Sequence, residues 1–212
     1  MHFEIDRLIG AVSREITDAE VDGQPVRGAV ASRDYPTSIV DLWDALTNPE
    51  RLPRWFLPVS GDLRLGGRYQ LEGNAGGEIT ECEPPKRLAV TWCMNDQVSW
   101  VRVDLAEVSE KVTRLRLEHF APMPDSTWDQ FGPGATGIGW ELGLRALEEH
   151  LATGQQVDPQ AAEAWALSDE GKGYIRLSSD AWGTAAIAAG TDEAAALTRA
   201  ERVRVFYSGE GQ

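Results

Sequence analysis

Cysteine is nearly absent. Cys82 and Cys93 are the only two among 212 residues, so no disulfide framework can staple the fold. Both lie in strand-like text, where a free thiol is ordinarily buried filler. Histidine is equally scarce: His2, His119 and His150 are the only three. None has a partner at ligand spacing, so no zinc site and no other metal or cofactor is expected. Long apolar runs are missing too. No stretch approaches the ~18 residues of a spanning helix, and "MHFEIDRLIGAVSREI" carries acids where a secretory leader wants a basic region and an apolar run. The expected location is cytoplasmic. Positive charge is in short supply, with 20 Lys and Arg against 34 Asp and Glu and a net charge of −14. Such a surface repels phosphate backbones and anionic bilayers, so neither nucleic acid nor a membrane is an expected partner. The glycine-rich "GPGATGIG" (132–139) lacks the Lys-Ser/Thr that lets such a loop hold phosphate.

What is present is a chain with enough apolar content, 42%, to bury a core. Residues 11–35 read as a hairpin turning at Asp22-Gly23. "TSIVDLWDALTN" then reads as a helix capped by Thr37 or Ser38, with Val40, Trp43 and Leu46 as its apolar face. Asn48-Pro49 opens a second short helix that Pro53 shortens or distorts. From Gly61 the text alternates, as half-buried antiparallel strands do: Tyr69 and Leu71, then Leu88, Val90 and Trp92, then Val101, Val103 and Leu105, then Leu115, Leu117 and His119. Trp100 has the opposite parity and belongs on the outer face. From residue 134 the period becomes helical, with Trp140, Leu144, Leu147 and Leu151 on one face and Glu141, Arg145, Glu148 and Glu149 elsewhere. After Asp158-Pro159 the chain is Ala-rich and mostly helical. Its Trp165, Trp182, Phe206 and Tyr207 require something to pack on.

The order of strand, two short helices, antiparallel strands and one long helix resembles the helix-grip fold of the START-like (SRPBCC) superfamily. More specifically it looks like the AHSA-type family, related to the C-terminal domain of the heat-shock-protein ATPase activator. The residues carrying the likeness are "VDLWDALTNPERLPRWF" (40–56), "GDLRLGGRYQLEG" (61–73), "GEITECEPPKRLAVTW" (77–92), "TRLRLEHF" (113–120) and the helix from Gly139. The resemblance implies an α+β chain. A curved antiparallel sheet wraps around a long C-terminal helix, two short helices close one end, and a cavity lies between sheet and helix. The expected division is a helix-grip domain over residues 1–155, including the N-terminal hairpin, and a helical extension over 156–212. That extension packs on the domain or on a second subunit, so a homodimer is one expectation.

In that frame the expected ligand-binding set is Trp55, Phe56, Tyr69, Leu71, Ile79, Val90, Trp92, Val101, Val103, Leu117, His119 and Trp140. Trp55 and Phe56 read either as core or as cavity wall. Trp128 and Phe131 read either as a gate or as loop anchors. Symmetric pairing about the Pro84-Pro85-Lys86-Arg87 turn sets Ile79 opposite Trp92 and Glu81 opposite Val90, which would aim Glu81 inward. Glu81 and His119 are then the one buried titratable pair available for acid/base work, against the alternative of a solvated Glu and a His tied to a backbone carbonyl or a neighbouring acid. The function expected first is binding of a small apolar or amphipathic molecule. The alternative is a cyclase- or hydrolase-type enzyme on a polyketide-like substrate, which needs Glu81 and His119 to converge. Third is a protein-interaction role like that of the chaperone activator.

Overall fold

The computed structural model describes residues 2–209. In chain order the elements are α1 (His2–Gly10), β1 (Val12–Val21), β2 (Gln24–Tyr35), α2 (Ile39–Thr47), a single 3₁₀ turn (Leu52–Arg54), β3 (Val59–Gly61), β4 (Arg68–Leu71), β5 (Gly76–Glu83), β6 (Arg87–Met94), β7 (Gln97–Ser109) and β8 (Val112–Pro122). The helices α3 (Ser126–Phe131), α4 (Gly134–Thr153), α5 (Pro159–Leu167), α6 (Asp169–Ala188) and α7 (Glu193–Ser208) follow. The strands form one sheet in the order β1-β2-β8-β7-β6-β5-β4-β3, and β3 to β8 pair antiparallel with their neighbours. This is the helix-grip, α+β class that the family resemblance implied.

Contacts gather the chain into two compact units. One contains residues 32–122 and 143–157. Its sheet face is covered by the second half of α4: the Tyr35 hydroxyl donates to the Leu144 carbonyl at 2.9 Å, and Arg33 pairs with Glu148 at 2.5 Å. The other contains residues 1–31, 123–142 and 158–212. Here α6 packs on α7, on β1 and on α1, around Ile5, Leu8 and Tyr174 with Leu142, Trp165 and Leu177 against them. The aromatics of the Ala-rich segment are used unevenly. Trp182 is fully buried and Phe206 is exposed, though it meets Phe131 at 5.5 Å and Tyr207 at 5.4 Å.

Local chemistry explains the element ends. The Ser38 side chain accepts from the Asp41 amide and caps α2, and Asp158 with Pro159 behind it opens α5. Two expectations shift. The buried stripe of α2 is Ile39, Leu42 and Ala45, and Val40 is exposed. Both stripes have three-residue spacing, so periodicity alone could not choose between them; packing did. The expected second short helix is reduced to the 3₁₀ turn at Leu52–Arg54, as two prolines four residues apart leave little room for an α-helical ladder.

Candidate functional site

The residue 32–122 and 143–157 unit contains a sheet face whose apolar side chains are incompletely covered. Tyr69, Leu71 and Ile79 are buried at its centre, with Phe56, Leu57, Leu88, Val90 and Trp92 packed against them but only half-buried. Register extends the face across the sheet. Val90 pairs with Val101 and Leu88 with Val103; Val101 pairs with His119 and Val103 with Leu117. Residues directly opposite one another in antiparallel strands share a face. Phe56, Tyr69, Leu71, Ile79, Val90, Trp92, Val101, Val103, Leu117 and His119 therefore stand on one wall. Opposite Phe56 is α4 at Gly143, where an added Cβ would lie 3.9 Å from the ring.

The Trp55-Phe56 pair divides its labour. The rings stack at 5.4 Å, but Trp55 donates its indole N–H to the Ala45 carbonyl at 2.8 Å and so is tethered to α2. Phe56 is the member that faces the sheet. Tyr69 likewise spends its hydroxyl on the Thr91 carbonyl at 2.8 Å, and burial raises its pKa, keeping it neutral.

One polar cluster interrupts the wall. His119 meets Trp92 edge-on at 5.8 Å, and its Nε2 lies 2.9 Å from the Ser99 hydroxyl. The Ser99 oxygen also lies 3.1 Å from the Trp92 carbonyl. A hydroxyl has one proton. That proton goes to the Trp92 carbonyl, with His119 Nε2–H donating to the Ser99 oxygen, or to Nε2 itself, according to the tautomer of the ring; in both arrangements it is spent inside the protein. Burial pushes the pKa of His119 down to about 4, so the ring is neutral imidazole at neutral pH. Ser99 was absent from the expected set, although its parity with Val101 would have found it.

Glu81 is a correction. The sheet has a register shift between Ile79 and Glu81, a bulge that changes which side chains face inward. Ile79 pairs with Val90 rather than Trp92, Glu81 with Ala89 rather than Val90, and Cys82 with Leu88. Glu81 consequently stands on the outer face, 3.3 Å from Arg102 and 3.9 Å from Arg87. Cys82 takes the inward place and packs against the apolar cluster. Glu81 and His119 lie on opposite faces of the sheet and cannot act on one atom, which removes the expected acid/base pair.

Trp140, half-buried, belongs to the part of α4 in the other compact unit. Trp128 is buried, with Arg27 over its ring at 6.0 Å, as an anchor would be. The most conspicuous residue that the helical period does not single out is Glu141, off the apolar face of α4 by spacing and fully buried in the structure. Arg14 forks onto both its oxygens at 2.7 and 2.8 Å, and Tyr174, Ser178 and Trp182 donate to it at 3.0, 2.8 and 2.7 Å. The legible signal was on α6: Tyr174, Ser178 and Trp182 recur every four residues and line one helical face with donors. Among the described residues no group of three His, Cys, Asp or Glu is placed to hold a metal, and no helix is long and apolar enough to cross a membrane. A second concavity of about 380 Å³, at the β3–β5 edge, is lined by Gly61, Arg68, Gln70, Gly76 and Cys93 among others. Exposed Arg68 and Gln70 make it a wet groove rather than an apolar wall.

Comparison with known proteins agrees with this architecture. The solution structure of CalU16 from Micromonospora echinospora is 29% identical, covers 85% of this chain and 97% of that one, and superposes with a TM-score of 0.69. The crystal structure of the same protein gives 28% identity, coverage of 82% and 98%, and a TM-score of 0.64. An HSP90 activator from Plasmodium falciparum is 25% identical over 59% of this chain and 96% of that one, with a TM-score of 0.52. No curated protein matches the chain. The profile of the family described as Activator of Hsp90 ATPase homolog 1-like protein matches residues 36–152, from the end of β2 to the last turn of α4, which is more than half the chain. The chain therefore belongs to the family of Activator of Hsp90 ATPase homolog 1-like proteins.

Proposed function

We propose that the protein binds a small apolar or amphipathic molecule against the inner sheet face formed by Phe56, Tyr69, Val90, Trp92, Val101 and His119. The observation that carries this reading is the incomplete burial of Phe56, Leu88, Val90 and Trp92 beside a core that is closed at Tyr69, Leu71 and Ile79. Large apolar side chains on a concave wall gain by covering their remaining area, at about 25 cal/mol per Å² removed from water. An apolar wall with a few placed polar groups is the usual composition of a small-molecule site. The aromatic members supply flat, rigid contact area, and Ser99 with His119 supply orientation. Family membership supports the reading at the level of fold, since relatives on one fold serve different ends. Catalysis through a Glu81–His119 pair has no geometric support.

The test is titration with a neutral fluorescent apolar probe, N-phenylnaphthylamine, in wild type and in Val90→Arg. Saturable binding by wild type and a loss of about tenfold or more in the variant is expected, because a guanidinium on this wall has no acid to pair with. Equal binding by both proteins would contradict the site.

A further inference from the structure

The sheet that builds the proposed site segregates charge by face. On the outer face Arg87 pairs with Asp104 at 2.6 Å, Arg102 with Glu81 at 3.3 Å, and Arg116 with Glu118 at 2.9 Å. On the inner face the paired rows are Trp92 with Ser99, Val90 with Val101 and His119, and Leu88 with Val103 and Leu117. Those rows hold no ionised group. His119 stays neutral because protein atoms crowd its ring. The buried cation of this unit, Arg33, is committed to Glu148 at 2.5 Å and lies over the Tyr35 ring at 5.3 Å. A ligand carrying a carboxylate would bring a charge onto this wall with no counter-ion waiting, and desolvating an unpaired carboxylate is costly.

The polar pair has a direction as well as a polarity. The Ser99 proton is spent on the Trp92 carbonyl or on His119 Nε2, and at most one lone pair of the Ser99 oxygen is filled, by an Nε2–H of His119. The second lone pair remains as an acceptor. The group it can take from a ligand is a hydrogen-bond donor, and the aromatic side chains Trp92 and Phe56 of the same wall suit a flat ring. Resting on the binding reading above, we infer that the site selects uncharged aromatic hydroxy compounds, whose hydroxyl donates to Ser99 Oγ, over carboxylates of the same shape. Ser99 is then the specificity-determining residue and His119 the residue that positions its hydroxyl.

The experiment compares naphthol, naphthoate and naphthalene by calorimetric titration at neutral pH, on wild type, Ser99→Ala and Ser99→Thr. Naphthol should bind wild type at least about tenfold more tightly than naphthoate, since burying an unpaired charge costs more than ~1.4 kcal/mol. Ser99→Ala should weaken naphthol about fivefold, the value of one neutral hydrogen bond, while leaving naphthalene unchanged. Ser99→Thr, which keeps the hydroxyl, should restore most of the preference. Naphthoate binding as tightly as naphthol would overturn the inference but leave the site standing, and would direct attention to Arg33, whose buried Nε has no hydrogen-bond partner. Naphthol and naphthalene losing affinity equally in Ser99→Ala would also overturn it. If none of the three binds, the proposed function fails along with the inference.

Discussion

The two compact units bury polar groups in opposite ways. In the unit of residues 1–31, 123–142 and 158–212, the Glu141 carboxylate receives five hydrogen bonds from Arg14, Tyr174, Ser178 and Trp182. Both of its oxygens are taken, and nothing is left over for a visitor. In the unit of residues 32–122 and 143–157, Ser99 and His119 form a pair with one acceptor position to spare, set among apolar side chains that are half-covered. A buried ion that is fully paired is architecture, because its desolvation has already been offset inside the fold. A polar group left partly satisfied on an apolar wall is the composition expected of a site. Glu141, heavily bonded as it is, is thus the poorer functional candidate.

The largest effect should come from breaking the saturated cluster. Glu141→Ala leaves the Arg14 side chain, only 7% exposed, with no counter-charge. The expected loss in urea unfolding is about 3–5 kcal/mol, the cost of removing one partner of a buried pair. A loss under ~1 kcal/mol would show that the cluster does not hold this part of the fold together.

A smaller effect separates the units by pH. His119 has a folded pKa near 4 against ~6.5 in the unfolded chain. Between those values the unfolded state binds more protons, so stability falls as pH drops through ~6.5 toward the folded value, and the His119 contribution is fully present above it. Replacing His119 with Gln should flatten the stability profile in that window, by up to ~3 kcal/mol at its acid end. Superimposable acid limbs for wild type and variant would show that the ring is not held neutral.

These contrasts also locate what the sequence could and could not say. Caps at Ser38 and Asp158 were readable because the capping residue and its recipient amide are neighbours in the chain. The inward row of Leu88, Val90 and Trp92 was readable from alternation. Glu81 was misplaced because one residue inserted between Ile79 and Glu81 reverses every later side chain, and nothing in "GEITECE" announces a bulge. The face of α2 was off by one residue because apolar residues occupy two adjacent stripes, and the choice belongs to the partner surface. The burial of Glu141 does not show in its own helix because its donors come from positions 14, 174, 178 and 182, and only the fold brings them to one carboxylate.

The smallest effect is expected at Glu81. Its pairs with Arg102 and Arg87 are long and partly exposed. Glu81→Gln should therefore change stability by less than ~0.5 kcal/mol and leave probe binding untouched. A tenfold loss of probe affinity would place Glu81 back on the inner face and undo the register argument.

The most direct measurement of the central claim is the titration of N-phenylnaphthylamine into wild type and Val90→Arg, followed by backbone amide shifts as well as fluorescence. The account predicts saturable perturbations at Val90, Trp92, Ser99, Val101 and His119 in wild type, with the Glu141 surroundings silent, and their disappearance in a Val90→Arg protein that is still folded. Perturbations confined to the Glu141 cluster or to the exposed Phe206, or binding that Val90→Arg does not weaken, would contradict it.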